Sequence, residues 1–90
     1  MQFEWDREKS ELTFALRGFD FAFAAGIFAG RVIEAVDSRR DYGEARVRAV
    51  GETAGVTLVV VYTDRADARR IISARVASRK ERAEWLKLSE

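Results

Sequence analysis

Cysteine and histidine are both absent from the 90 residues of this sequence. Without cysteine the chain has no disulfide, no thiolate metal site and no thiol nucleophile. Without histidine it lacks the most frequent general base and zinc ligand, so Asp, Glu, Tyr, Lys and Arg remain for any chemistry. No stretch approaches the roughly 20 apolar residues of a membrane-spanning helix, and the charged N-terminus predicts no signal peptide. We therefore expect a cytoplasmic protein with no membrane partner.

Length and composition predict a single domain over residues 1–90, because a chain this short can fill only one core. Apolar residues make up 48% of the sequence, which is enough for that core and argues against a disordered chain. The net charge of +1 by itself predicts no nucleic-acid partner. The charge is unevenly distributed, however, because residues 65–82 sum to +5 and the rest of the chain to −4. One end of the molecule is therefore expected to be basic.

Periodicity and capping patterns predict the element order β-α-α-β-β-β-β-α, an α+β fold with an antiparallel sheet. Asp6 is expected to cap the first helix, with Leu12, Ala15 and Leu16 as its buried stripe. The second helix is apolar on nearly all sides, which favours burial in the core; the alternative is an exposed apolar patch for a partner. The β-branched run Val56–Thr63 is expected to be the central strand.

The C-terminal third of the sequence is typical of a strand followed by a basic helix. The last strand is expected over Arg69–Arg75, after a turn at Asp64–Ala68. Ser78 and Glu81 then match the Ser-x-x-Glu capping box. The final helix should therefore begin near Arg79 and run to about Leu88.

Charged side chains gather on the predicted outer face of the sheet. Guanidinium groups suit a phosphodiester, because they bind its oxygens bidentately and stay charged while negative charge develops on it. The alternative is a solvated face whose arginines pair with nearby aspartates. The groups expected there are Glu44, Arg46, Arg48, Arg65, Arg69 or Arg70, and Arg75, with Arg79, Lys80 and Arg82 extending the patch along the last helix.

The spacing of acidic residues and glycines indicates neither a metal site nor a cofactor site. Asp20, Asp37, Asp41 and Glu44 match no calcium loop. The glycines are scattered and form no phosphate-binding loop or dinucleotide fingerprint. We therefore predict no metal ion and no cofactor.

Several short motifs follow one another along nearly the whole chain. They are Phe-x-Trp-Asp at Phe3–Asp6, Tyr-Gly-Glu-x-Arg at Tyr42–Arg46, Gly51, Thr-x-Arg at Thr63–Arg65, Arg-Ile-Ile-Ser-Ala-Arg at Arg70–Arg75, and Ala-Ser-x-x-Glu-Arg at Ala77–Arg82. In this order they resemble the BrnT family of small ribonuclease toxins. One departure is visible, because Leu16-Arg17-Gly18 stands where the family has Lys-His-Gly.

The resemblance implies a RelE-like fold and a toxin of a type II toxin–antitoxin pair. It implies that the toxin cleaves RNA without a metal ion and so inhibits translation. It further implies neutralisation by a BrnA-like ribbon-helix-helix antitoxin, with DNA contacted only through the antitoxin complex.

The hypothesis for this chain is that Arg65, Arg75 and Arg79 bind and polarise the scissile phosphate. Glu44 or Glu81 would take the proton of the ribose 2′-OH, which attacks to give a 2′,3′-cyclic phosphate. Further RNA contacts are expected from Arg46, Arg48, Arg70, Lys80 and Arg82. Two other functions stay open: a catalytically inactive relative that binds an antitoxin or acts as a corepressor, and a small nucleic-acid-binding protein that uses a basic sheet face.

Overall fold

The chain folds in the predicted order, with one strand, two helices, four strands and a last helix. The structure is a computed structural model that describes residues 1–39 and 41–88. The helices are α1 (Arg7–Arg17), α2 (Phe21–Ala24), which continues as the 3₁₀ helix Ala25–Ala29, and α3 (Arg79–Leu88). The strands are β1 (Gln2–Trp5), β2 (Val32–Val36), β3 (Val47–Thr53), β4 (Val56–Arg65) and β5 (Ala68–Val76). The predicted α+β fold is therefore confirmed.

The five strands form one sheet in the order β1-β5-β4-β3-β2, with β4 in the centre as predicted. The consecutive strands β2 to β5 are antiparallel neighbours, whereas β1 pairs in parallel with β5 at the edge. A direct connection fixes the direction of strands that follow one another in the chain. Because β1 and β5 are separated by two helices and three strands, local patterns do not determine their relative direction. The predicted antiparallel sheet thus has one parallel edge pair.

The central strand β4 is buried on both faces of the sheet. Alternate residues of a strand point to opposite sides. The inner face carries Leu58, Val60 and Tyr62, the outer face carries Val59, Val61 and Thr63, and all of these side chains are buried. A strand of this kind needs cover on both sides, and α2 with the 3₁₀ helix covers the inner face while α3 lies on the outer face.

The second helical segment is a core element, as its apolar character predicts. Phe21, Ala24 and Ile27 are fully buried and belong to the same hydrophobic cluster as the inner face of β4. The α-helical geometry changes to 3₁₀ after Ala24, so the single predicted helix is divided. Within the described residues, no single helix is long and apolar enough to cross a membrane. α1 and the segment Phe21–Ala29 meet the length and composition test only as a pair bent by 89°.

The predicted buried stripe of α1 is wrong. Leu12, Ala15 and Leu16 are exposed, with 59% of Leu12 and 74% of Leu16 accessible to solvent. The inward residue is Ser10, whose hydroxyl accepts a hydrogen bond from the backbone N–H of Phe21 at 3.0 Å. The first N–H groups of a helix have no intrahelical partner, so the start of α2 requires a polar group at this buried position. That requirement turns the apolar side of α1 towards solvent.

The last helix begins where the sequence predicts. The Ser78 hydroxyl accepts the N–H of Glu81 at 3.1 Å, and the Glu81 carboxylate accepts the N–H of Ser78 at 2.8 Å, which confirms the capping box. Trp85 is 7% exposed and borders a small cavity with Ile33 and Val50 on the outer face. The helix therefore covers the outer side of β2 and β3.

Replacing Gly51 by alanine is expected to destabilise the fold. An added Cβ would stand 2.9 Å from Ile27 Cβ and 3.0 Å from Val32 Cγ1, so the 3₁₀ helix or β2 must move. We expect a loss of about 1–3 kcal/mol in the free energy of unfolding, measured by urea denaturation. The matched control is Gly30→Ala, where an added Cβ meets nothing within 4 Å. Equal unfolding free energies for the two variants would contradict the close packing at Gly51.

Candidate nucleic-acid interface

The outer face of the sheet carries basic side chains from three elements. The pairing of strands places three arginines directly beside central-strand residues of that face: Arg48 beside Val61, Arg70 beside Thr63, and Arg75 beside Val59. Thr63 and Val59 are separated by about 13 Å along the strand, at roughly 3.3 Å per residue. The predicted basic face therefore exists, and its arginines are distributed along the sheet.

Four charged side chains form a cleft at one end of this face, which we call the arginine cleft. Its members are Glu44, Arg46, Arg65 and Arg70, and Asp6 and Lys9 also border it. Arg65 Nη2 donates to Glu44 Oε1 at 3.1 Å, and Arg46 Nε donates to Glu44 Oε2 at 3.3 Å. A single carboxylate thus lies between two guanidinium groups.

Local structure explains how the cleft is assembled. Arg65 ends β4, and the turn that follows contains Ala66 with a positive φ of 46°. The Thr63 hydroxyl donates to the backbone carbonyl of Ala45 at 2.7 Å, which holds the segment before β3 against the end of β4. The guanidinium of Arg46 lies 3.9 Å from the centre of the Tyr42 ring. Backbone and side-chain contacts therefore position Glu44 and Arg46 beside Arg65.

The carboxylate of Glu44 is stabilised in its charged form. The hydrogen bond from Arg65 lowers the pKa of Glu44 below its usual value, with Arg46 acting in the same direction. Arg70 is less constrained, because its closest carboxylate is Glu4 at 4.0 Å. Arg70 therefore has donors available to an incoming anion.

The second predicted carboxylate, Glu81, is engaged in structural contacts. Arg75 Nη1 and Nη2 donate to its two oxygens at 2.7 and 2.8 Å, and one of those oxygens also accepts the N–H of Ser78. The bidentate bond from Arg75 is the main cause that lowers the pKa of Glu81 to about 2. A carboxylate with so low a pKa is a weak proton acceptor near neutral pH.

Two further predicted residues lie outside the cleft, Arg48 on β3 and Lys80 in the first turn of α3. Arg48 and Lys80 make no ion pair with any residue that the structure describes. Arg48 borders the cavity beside Glu81, and Lys80 lies in a shallow groove with Arg75. These groups continue the positive surface away from the cleft.

Arg79 and Arg82 lie at the opposite end of the sheet. They border a groove with Val56 at the start of β4, whereas Arg65 lies at its end. The ten residues of β4 span about 30 Å. The structure therefore does not bring Arg65, Arg75 and Arg79 to one phosphate.

Sequence reasoning missed Arg39, which follows β2 and binds the buried Asp37. Arg39 Nε and Nη2 donate to the two oxygens of the buried Asp37 at 2.8 and 2.9 Å. The bond from Glu81 raises the pKa of Arg75, and the like charge of Arg39 opposes that rise, so the two guanidinium groups are close. Arg39 lies in an irregular connection without periodicity, so the sequence contained no signal for its position.

A second missed cluster lies on the inner face. Tyr62 donates a hydrogen bond to Glu34, and the guanidinium of Arg69 lies 3.9 Å from the Tyr62 ring. Burial, together with the bond to Glu34, raises the pKa of Tyr62 to about 12. Arg69 also donates to both oxygens of Asp64 at 2.8 and 3.0 Å. Of the two alternatives in the sequence, Arg70 and not Arg69 is therefore the outer-face residue.

The fold and its outer face define a small α+β protein suited to holding a phosphodiester backbone. The chain belongs to the BrnT family: the model described as "Ribonuclease toxin, BrnT, of type II toxin-antitoxin system" matches residues 5–81. Family membership assigns a ribonuclease toxin with an RNA target and an antitoxin partner. Comparison with curated proteins produced no match. Among the described residues, no group of three or more carboxylates is arranged to hold a metal ion.

Replacing Glu81 by glutamine should destabilise the protein in a pH-dependent way. The pKa of Glu81 in the folded state is about 2, below its ordinary value of 4.5, so the ion pair stabilises the fold above pH 4.5 and this contribution is lost as the pH falls towards 2. Arg75 is 42% exposed, so solvent screening limits the effect to about 1 kcal/mol.

Urea unfolding at pH 7 and at pH 2.5 measures this difference. Glu84→Gln, on the same helix and without an ion pair to any described residue, is the control. If Glu81→Gln lowers the free energy of unfolding by the same amount at both pH values, the ion pair is not the cause of the loss.

Proposed function

We propose that this chain, acting as a single cytoplasmic domain, is an endoribonuclease toxin that cleaves RNA at the arginine cleft without a metal ion. A BrnA-like ribbon-helix-helix antitoxin would neutralise it, and DNA would be contacted only by that complex. The observation that carries the proposal is one carboxylate, Glu44, held between Arg46 and Arg65 with Arg70 beside them. The RelE-like character of the fold stays a prediction.

Phosphate binding is the first step that the cleft supports. Arg65 and Arg46 each make one bond to Glu44, and partly exposed ion pairs of this kind contribute at most about 1 kcal/mol. A phosphodiester offers two oxygens in the geometry that a guanidinium binds bidentately. An RNA phosphate can therefore compete with Glu44 for Arg65 while Arg70 binds the other side of the phosphate.

Glu44 is the better placed of the two candidate bases. Its pKa is lowered mainly by the hydrogen bond from Arg65, so transfer of Arg65 to a phosphate removes that cause. A negative phosphate beside Glu44 also disfavours its charged form. Both changes raise the pKa of Glu44 and make it a stronger base. Glu81 has no such release, because Arg75 and the capping bond hold both of its oxygens.

The reaction that follows uses the ribose 2′-OH as the nucleophile. Its oxygen forms a bond to phosphorus, its proton passes to the Glu44 carboxylate, and the bond to the 5′-oxygen breaks with uptake of a proton from water. The products are a 2′,3′-cyclic phosphate and a 5′-hydroxyl end. Arg65 and Arg70 would stabilise the charge that develops on the phosphate oxygens. The nucleophile belongs to the RNA itself, so the reaction requires no metal-bound water.

The remaining basic groups of the outer face provide a path for the RNA backbone. Arg48, Arg75 and Lys80 extend from the cleft towards α3 on the same side of the sheet. Contacts of this kind bind RNA without reading its sequence, and their contribution falls as salt concentration rises. Cleavage of messenger RNA held along this path would arrest translation.

Replacing Glu44 by glutamine should abolish most of the cleavage while leaving RNA bound. Loss of a general base lowers kcat by about 100-fold or more. Removal of a negative charge between arginines should leave RNA affinity equal or higher. Cleavage of a fluorescent single-stranded RNA, in buffer with EDTA, measures the rate, and anisotropy measures the affinity. Glu52→Gln, on the same sheet but away from the cleft, is the matched control.

Replacing Arg65 or Arg70 by alanine should weaken both binding and cleavage. Each variant is expected to remove about one phosphate contact, which reduces the salt dependence of RNA affinity accordingly. Lys87→Ala, in the last turn of α3, is the control because it removes one positive charge outside the arginine cleft. Full activity in Arg65→Ala and Arg70→Ala, or complete loss of wild-type cleavage in EDTA, would refute the proposed reaction.

A second candidate is a catalytically inactive toxin-like protein that only binds its antitoxin or serves as a corepressor. The lowered pKa of Glu44 in the RNA-free cleft favours it, as does Leu16-Arg17-Gly18 in place of Lys-His-Gly. Leu16 and Arg17 are exposed at the end of α1 and take no part in the cleft. Wild-type protein that forms a complex with its antitoxin but leaves RNA intact would select this function.

A further inference from the structure

An apolar groove opens at the end of the sheet opposite the arginine cleft. Two adjoining depressions share Val56 and Val76, so their walls form one continuous surface. The apolar walls come from α1, the α1–α2 connection, α2, β4, β5 and α3. The residues that define the groove are Phe14, Phe19, Phe23, Val56, Val76 and Leu86.

The groove exposes apolar side chains that a folded chain normally covers. Phe14, Val76 and Leu86 are each more than half accessible to solvent. They come from three different elements, so the tertiary fold and not local sequence spacing brings them to one groove. A contiguous exposed apolar surface of this kind is typical of a protein interaction site.

The rim of the groove is positively charged. Arg17 lies at one end, and Arg79 and Arg82 lie at the other. The guanidinium groups of these three arginines make no ion pair or hydrogen bond with any residue in the described part of the chain. Asp20 is also present, but its carboxylate accepts the N–H of Phe23 at 2.9 Å and so caps α2.

We propose that this groove is the docking surface for a segment of the protein antitoxin that carries apolar side chains flanked by carboxylates. The inference rests on the proposed toxin function. Apolar side chains would fill the space between Val56, Val76 and Leu86, and acidic groups would pair with the arginines of the rim. Charge complementarity of this kind steers association and fixes the register of the partner.

The charge of the rim also argues against a second copy of this chain. A twofold dimer brings the same patch of each subunit together, so the arginines of one copy would face those of the other. RNA fits the rim, but beside Arg79 and Arg82 the walls are the aliphatic Val56, Val76 and Leu86, which provide no stacking surface for bases. The three phenylalanines line only the depression beside Arg17. An acidic and apolar polypeptide matches both parts of the groove.

A docking site in this groove is separate from the proposed site of RNA cleavage. The groove lies at the start of β4 and the arginine cleft at its end, about 30 Å apart. Arg79 and Arg82 would then hold the antitoxin and not the RNA. Substitutions in the groove should therefore weaken antitoxin binding without changing RNA cleavage.

Arg82→Glu and Val76→Asp test the proposal. The probe is the purified protein encoded by the antitoxin gene adjacent to the gene for this chain, titrated against each variant by calorimetry. Each substitution is expected to raise Kd by about tenfold or more, because it places a carboxylate against an acidic or an apolar segment. Lys87→Glu makes the same charge change on the same helix outside the groove, and we expect it to leave Kd within about twofold.

RNA cleavage and thermal unfolding are measured in parallel on every variant. If Val76→Asp fails to fold, Phe14→Asp on α1 replaces it, because Phe14 is exposed and borders the same groove. Antitoxin affinity that is equal in Arg82→Glu and in Lys87→Glu would overturn the docking site. Three other results would also overturn the docking site. They are reduced RNA cleavage in Arg82→Glu with full antitoxin affinity, a shift from dimer to monomer in Val76→Asp with full antitoxin affinity, and no binding of the antitoxin by the wild-type chain.

The two proposals fail separately. A chain that does not cleave RNA, but whose antitoxin affinity depends on Arg82 and Val76, would refute the nuclease and support the docking site. A chain that cleaves RNA, with antitoxin affinity independent of the groove, would do the reverse.

Discussion

Burial of β4 on both faces is the constraint on which the rest of the structure depends. Val60 and its inner-face neighbours require the segment Phe21–Ala29 on one side, and Val59 with the outer-face residues requires cover on the other. The hydrophobic effect, at about 25 cal/mol for each Å² of apolar surface buried, supplies the driving force for both layers. The strand also separates the two proposed surfaces, because Val56 at the groove begins it and Arg65 at the arginine cleft ends it.

The ion pairs of arginine with glutamate on the outer face are of two kinds. In the arginine cleft, Glu44 neutralises part of the charge of Arg46 and Arg65, and its carboxylate takes part in no helix cap. In the ion pair of Arg75 with Glu81, the carboxylate also forms part of a capping box, so exchange would disrupt the start of α3. The proposed function therefore assigns the ion pairs of Glu44 to RNA binding, whereas the pair of Arg75 with Glu81 stabilises the start of α3.

The element order was predictable because its signals are local. The capping box before α3, the Asp6 cap of α1 and the β-branched run of β4 each act within a few residues, and each was confirmed. The buried stripe predicted for α1 was wrong. Leu12 and Leu16 have helical spacing, but the buried side of α1 carries Ser10, whose hydroxyl accepts a hydrogen bond from the start of α2. The direction of β1 was not determined locally, since its partner β5 lies at the far end of the chain.

The sequence by itself determined which side chains are available: arginines and carboxylates without histidine or cysteine, on an α+β chain with a central apolar strand. The roles predicted for individual residues stay predictions. Only the tertiary structure decided which of them meet, because the hydrogen bond from Thr63 to Ala45 holds Glu44 beside Arg65, whereas α3 carries Arg79 and Arg82 at the opposite end of the sheet. The reason is physical: periodicity fixes the face on which a residue lies, whereas packing between elements distant in sequence fixes its neighbours.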